Sequence, residues 1–345
     1  MDLSELTARL TAFCRNKTGD PAATVTDVEV MPGHAGFSWG FVLGHGSGQM
    51  ERLVLRLPPP GVRWVGTADV LRQARIMRAL ADTAVPVPRV RWAGDDLEWF
   101  ERPYMVVERL PGDTLRFRTA TGAPVAYDAA ALRDMAQQVT AALAALHRLD
   151  WQAKVPDWGP PPTLAEEVTR WDWLLARNQD PTRTSDPSLT ARAPEVRERL
   201  LACLPTPRRQ GILHGDYQWS NTLFHAGRLV AVLDWELAGV GETRLDVGWL
   251  ALFSDPDAWV GLARWTAPLP RAEEIVAMYE EAMGEPAEAI GWFRALAGYK
   301  FALITGLNLS LHRRGRRPDP HWEDIGPSAP RLLERGVELL APREH

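Results

Sequence analysis

The sequence predicts an α+β fold in two lobes: a small, mostly antiparallel β lobe with one main helix over residues 1–110, and a large helical lobe over 111–345. Three observations carry that expectation. At 345 residues the chain exceeds a typical single small core. Between about 24 and 110, short β-branched and aromatic runs are separated by glycine and proline turns and interrupted by one helical pattern. After "PGD" at 111–113 the text changes to long stretches with apolar residues every three or four positions. The order strand, strand, strand, helix, strand, strand suits an antiparallel sheet with an inserted helix better than alternating βα units.

The opening "MDLSELTARLTAFCRNK" sets Leu3, Leu6, Leu10 and Phe13 at helical spacing with acids early, which reads as an amphipathic helix and not a signal peptide. "TVTDVEV" and the glycine-punctuated "MPGHAGFSWGFVLGHGSG" follow as strands and turns. "ERLVLRLPPP" is a short strand stopped by prolines, which cannot donate to a ladder. "TADVLRQARIMRAL" is helical on Val70, Leu71, Ala74, Met77 and Leu80, with Thr67 or Asp69 as cap. "VPVPRVRWAGDD" and "RPYMVVERL" read as extended. Beyond the boundary, Leu132, Met135, Val139, Leu143 and Leu146 line one face of a long helix. "TLAEEVTRWDWLLARN", "RAEEIVAMYEEAM" and "IGWFRALAGYKFALITGLNLSLH" are helical too, and 178–195 is a polar loop.

Composition excludes several classes. A chain with 46% hydrophobic and 24% charged residues is ordinarily globular. A net charge of −5 argues against a nucleic-acid partner. Cys14 and Cys203 are the only cysteines, so neither a disulfide framework nor a cysteine zinc cluster is available. No apolar run reaches 18 residues, so no membrane span is expected and the expected compartment is cytoplasmic. Lysine occurs only at 17, 154 and 300, so a cation needed in the middle of the first hundred residues must be arginine.

The chemistry concentrates in "GILHGDYQWSNTLFHAGRLVAVLDWE", which reads as a strand, a loop, and a hairpin. The hairpin can return Asp234 to the mouth where Asp216 and Asn221 lie. Phosphoryl transfer uses a carboxylate to take the proton of the attacking hydroxyl and oxygen ligands for magnesium. Magnesium favours hard oxygen donors from one or two carboxylates plus substrate phosphates. Asp234 and Asn221 supply such oxygens, leaving Asp216 as base.

His214-Gly215-Asp216, Asn221 and Asp234 resemble the H-G-D-x-x-x-x-N loop and following aspartate of the aminoglycoside phosphotransferase superfamily, the protein-kinase-like small-molecule kinases. The Leu-Arg-x-Pro-Pro ending at 55–59 and the later "WDWL" are similar to a subgroup, the phosphotransferase domains related to those fused to acyl-CoA dehydrogenases. The resemblance spans about 24 to 310 and implies a bilobal protein-kinase-like fold. It also implies a magnesium-dependent transfer from ATP, or GTP in its place, to a hydroxyl of a small molecule. By the same resemblance, Gly36 and Ser38 belong to the turn that covers the phosphates, and Arg56 stands where a phosphate-contacting lysine is usual. Gln73 falls where that cation's glutamate partner is usual, with Asp69 or Asp82 as substitutes. The backbone from Glu108 to Leu110 would meet the nucleobase, Asp246 would brace the catalytic loop, and His214 would brace more than react.

Gln73 also raises the rival reading of a catalytically impaired kinase fold that binds nucleotide or another ligand. A third reading makes His214, Asp216 and His225 metal ligands of a hydrolase, which leaves Asn221 unexplained. The acidic helix over 271–288 would suit an aminoglycoside, but its spacing reads as a solvated face. Tryptophans crowd the second half, and Trp219, inside the loop, is the one expected to line an acceptor pocket. An apolar or acyl-type alcohol is therefore favoured.

Overall fold

The structure is a computed structural model that describes residues 2–31, 37–115, 125–261 and 268–341. The chain divides into two compact units, Met1–Asp113 with Thr222–Ala238, and Thr114–Asn221 with Gly239–His345. The first unit thus takes in residues 222–238, which a linear division at 110 leaves with the second.

In the first unit, helix α1 (Leu3–Thr18) starts behind Asp2, whose carboxylate accepts from the Glu5 amide at 2.8 Å. It stops at Gly19, in the left-handed region with φ 67°. Leu6, Leu10 and Phe13 are buried as the spacing predicts, whereas Leu3 in the first turn is exposed. The Phe13 ring meets Trp92 and Tyr104 edge to face. The strands β1 (Thr24–Val30), β2 (Ser38–Gly44) and β3 (Met50–Arg56) follow. In β3 the alternation of "MERLVLR" sends Leu53 and Leu55 into the core. Helix α2 (Val70–Leu80) is capped by Asp69, which accepts from the amides of Leu71 and Arg72. Strand β4 (Val90–Gly94), the short helix α3 (Leu97–Phe100) and strand β5 (Tyr104–Glu108) complete the run. The five strands form one antiparallel sheet in the order β1-β2-β3-β5-β4.

After the two-residue strand β6 (Asp113–Thr114) the chain turns helical. Helix α4 (Ala129–His147) buries Leu132, Val139, Leu143 and Leu146. Next come α5 (Trp151–Lys154), α6 (Leu164–Thr169), α7 (Asp172–Gln179) and α8 (Ala193–Ala202). The stretch "TLAEEVTRWDWLLARN" is therefore two helices and not one. It divides at Arg170 and Trp171, where Asp172 opens α7 and forms a two-bond pair with Arg197 of α8 at 2.6 Å. The loop expected over 178–195 is shorter at both ends, since α7 runs to Gln179 and α8 begins at Ala193, and between them lies the 3-10 turn Pro187–Thr190.

Strand β7 (Gln210–Leu213) leads into the loop that carries Asp216, followed by the hairpin of β8 (Thr222–His225) and β9 (Arg228–Val232). Strand β10 (Gly239–Glu242) pairs antiparallel with β7. The remaining helices are α9 (Arg244–Leu252), α10 (Ala272–Met283), α11 (Ile290–Arg313), α12 (His321–Ile325) and α13 (Ser328–Leu339). α9 lies so close to α11 that a Cβ on Gly248 would come within 2.6 Å of the Phe293 backbone. No helix among the described residues is long and apolar enough to cross a membrane.

Candidate active site

In the second unit, β7 delivers His214 and Gly215 into a turn where Gly215 has φ 82°, a conformation that favours glycine. Both of their backbone amides donate to Asp246, at 2.7 Å from His214 and 2.9 Å from Gly215. Asp246 is 1% exposed, and His147 Nε2 lies 3.5 Å from its Oδ2. His147 is oriented in turn by a 2.9 Å contact between Nδ1 and the Tyr279 hydroxyl. Burial pushes the Asp246 carboxyl up, but the His147 contact and the His214 amide outweigh it, so its pKa lies below the ordinary carboxylate value. The Asp246 side chain is thus the brace of this loop. His214 is itself buried, and its Nδ1 accepts from the Asp216 amide at 3.2 Å.

Three side-chain donors hold the Asp216 carboxylate. Oδ1 accepts from Gln218 Nε2 and from Trp249 Nε1, both at 2.8 Å. Oδ2 accepts from Asn221 Nδ2 at 2.8 Å, and the same nitrogen donates to the Asp216 carbonyl at 2.9 Å. With its nitrogen committed to Asp216, Asn221 keeps its amide oxygen as the atom of the type that binds a hard cation. Lys300 Nζ donates to the Gly215 carbonyl at 3.2 Å and sits 4.1 Å from the Trp249 ring centre and 5.4 Å from that of Trp171. Burial lowers the Lys300 pKa, an effect opposed by the negative charges of Asp216, Glu167 and Asp246. Trp219 does not line a pocket: it is 2% exposed and donates to Ser254 Oγ at 3.1 Å. Trp249 is the loop's aromatic neighbour instead, in ring contact with Phe253 and Phe301.

The first unit brings Arg56 and Asp234 together. Asp234 follows β9 in the left-handed region with φ 64°, which aspartate tolerates better than most residues. Its Oδ1 accepts from Arg56 Nη1 at 3.0 Å, while Glu236 Oε2 accepts from Arg56 Nη2 at 2.6 Å. Gln73 is buried on α2, and its Nε2 donates to the Thr67 carbonyl at 3.2 Å. Asp69 Oδ1 accepts from both of the amides that it caps. Ser38 stands directly opposite Arg56 in the β2–β3 register. Gly36 lies outside the described residues. The Glu108 amide donates to the Arg89 carbonyl and the Arg109 amide to the Arg52 carbonyl, both at 2.9 Å; Leu110, which follows, is half-buried.

Among the described residues no group of three or more His, Cys, Asp or Glu side chains is arranged to hold a metal ion, so no His–Asp–His site of a hydrolase is found there. Glu236, Trp249 and Lys300 are the neighbours that sequence reading passes over. Glu236 alone carried a local signal, since it stands two residues after Asp234 in "LDWE".

Residues 34–293 match the phosphotransferase enzyme family, and the chain belongs to it. Among curated proteins it is 26% identical to mouse acyl-CoA dehydrogenase family member 11 over 98% of this chain and 43% of that one. It is 28% identical to mouse acyl-CoA dehydrogenase family member 10 over 74% of this chain and 24% of that one. The chain therefore spans less than half the length of these relatives. Its fold resembles that of a candidate aminoglycoside phosphotransferase from Ralstonia eutropha, with a TM-score of 0.76, 23% identity, and coverage of 97% of this chain and 98% of the other. It also resembles the aminoglycoside phosphotransferase APH(4)-Ia in a ternary complex with ADP and hygromycin B, with a TM-score of 0.60, 16% identity, and coverage of 95% and 98%. The α+β, kinase-like fold expected from the residues is the fold observed.

Proposed function

We propose that the chain is an ATP- and magnesium-dependent kinase of a small-molecule hydroxyl, with Asp216 as catalytic base. The observation that carries the reading is the Asp216 carboxylate, held at both oxygens by side-chain donors on a loop braced by Asp246. An acid fixed in this way is oriented to accept a proton. The acceptor oxygen attacks the γ-phosphorus, its proton passes to Asp216, and the bond to the nucleoside diphosphate breaks.

Asn221 and Asp234 are the proposed magnesium ligands, and their chemistry fits: one amide oxygen, its nitrogen committed to Asp216, and one carboxylate. Bound magnesium would offset negative charge on the transferring phosphate oxygens. Arg56 offers those oxygens a permanent, planar cation, and the Glu108–Leu110 backbone meets the nucleobase. Gly36 and Ser38 are the proposed phosphate contacts, Ser38 from the start of β2 opposite Arg56. The ADP in the APH(4)-Ia complex supports a nucleotide donor, with GTP as the alternative to ATP. The aromatic surroundings of Trp249 and the acyl-CoA dehydrogenase names of the relatives support an apolar or acyl-type alcohol as acceptor over an aminoglycoside.

Calorimetric titration of ATP and GTP, with and without magnesium, tests the donor and metal assignments on wild type and Asp234→Ala. The expected result is magnesium-dependent binding that Asp234→Ala weakens. Folded wild-type protein that binds neither nucleotide would overturn the kinase reading.

A further inference from the structure

We infer that Glu236 is the positioning residue that holds Arg56 for the nucleotide phosphates, in place of an acid on α2. The inference rests on the kinase reading above and adds a residue to it. An arginine at the end of β3 has a long, mobile side chain, and a charged partner is needed to aim its fork. Helix α2 does not offer one at position 73. Gln73 is neutral, buried, and bonded to Thr67, and Asp69 caps the helix through Oδ1, while the Arg56 ion pairs go to Asp234 and Glu236.

The charge arrives from the other side. Glu236 takes Arg56 Nη2 at 2.6 Å, the shorter of the two Arg56 ion pairs, while Asp234 takes Nη1 at 3.0 Å. If Asp234 turns to a cation, Glu236 still holds the guanidinium. Glu236 is itself well anchored. It lies in the 3-10 turn Trp235–Leu237, and the buried Trp235 donates its indole N–H to the Val232 carbonyl at 2.9 Å. From α2, Arg72 donates to the backbone carbonyls of Glu236, at 3.4 Å, and of Ala238. The usual polarity is therefore reversed. The helix contributes a cation to the 236–238 backbone, and that segment contributes the acid to Arg56.

The test compares wild type with Glu236→Gln, Glu236→Asp, Arg56→Met and the Glu236→Gln/Arg56→Met double variant. ATP and adenosine affinities are measured alongside melting temperatures. The expected result is about a tenfold loss of ATP affinity in Glu236→Gln, with adenosine affinity unchanged because Arg56 acts on phosphates. Glu236→Asp should recover part of the loss, and the double variant should bind ATP no more weakly than Arg56→Met. ATP binding by Glu236→Gln at the wild-type level overturns this assignment alone. Equal losses of ATP and adenosine affinity with a lowered melting temperature also overturn it, since they would mark a structural role only. Wild-type protein that binds neither ligand overturns it together with the kinase reading.

Discussion

The surroundings of Asp216 and of Arg56 hold their charges by opposite means. Asp216 accepts from the neutral side chains of Gln218, Trp249 and Asn221, and the amides beside it end on a carboxylate that is 1% exposed. Arg56 is held by two carboxylates, Asp234 and Glu236, whose side chains are 35% and 25% exposed. The neutral donors of Gln218, Trp249 and Asn221 orient the Asp216 carboxylate, which suits a proton acceptor. A carboxylate paired with arginine at a partly wet site can exchange one cation for another at modest cost, which suits a metal ligand. The contrast separates the proposed base from the proposed metal ligand, and it can be broken at specific residues.

The largest expected effect belongs to the base. Asp216→Asn should lower turnover by about 10²–10⁴-fold with nucleotide affinity nearly unchanged, as followed by ADP release. Next is the brace. Asp246→Ala leaves the buried His214 amide and the part-buried Gly215 amide without their acceptor and should cost about 2–5 kcal/mol in denaturant unfolding. The pH dependence has a definite sign. The folded Asp246 carboxyl titrates below its ordinary value of about 3.9. Its stabilisation is therefore complete above that value and is lost as pH falls through the folded pKa. The stability gap between wild type and Asp246→Asn should be flat near neutrality and close in acid.

A smaller effect is expected from Trp249→Phe, which removes one of the two donors on Asp216 Oδ1 and keeps the ring. Its kcat should fall about tenfold without a change in ATP affinity. Lys300→Met should show the smallest effect, best seen in melting temperature against pH. Burial lowers the folded Lys300 pKa, so the unfolded chain binds more protons between the folded and unfolded values. Wild-type stability should rise relative to Lys300→Met as pH climbs from the folded pKa towards the ordinary lysine value.

What the sequence made legible follows from how local each feature is. The alternation in Met50–Arg56, the cap at Asp69 and the spacing of Asp216, Asn221 and Asp234 are written within short windows, and each corresponds to an element or loop in the structure. Strand β10 was not legible because "GVGE" carries two glycines in four residues, a composition that strands disfavour. Its register with β7 comes from pairing across a long sequence gap. The neighbours of the candidate site were hidden for the same reason. Trp249 reaches Asp216 across 33 residues, Lys300 reaches Gly215 across 85, and Glu236 reaches Arg56 across 180. Trp219 misled because position within the loop does not decide which way an indole points; its N–H finds Ser254 in the core.

The central claim is that Asp216 takes the proton as phosphate moves to an alcohol. Its most direct test is phosphorus NMR of the products formed from magnesium-ATP and a panel of hydroxylated acceptors, acyl-type and aminoglycoside, with wild type and Asp216→Asn at matched folded concentration. The account predicts a phosphate monoester resonance that grows with wild type and is lost, or slowed at least a hundredfold, with Asp216→Asn. A monoester formed by Asp216→Asn at the wild-type rate would contradict it.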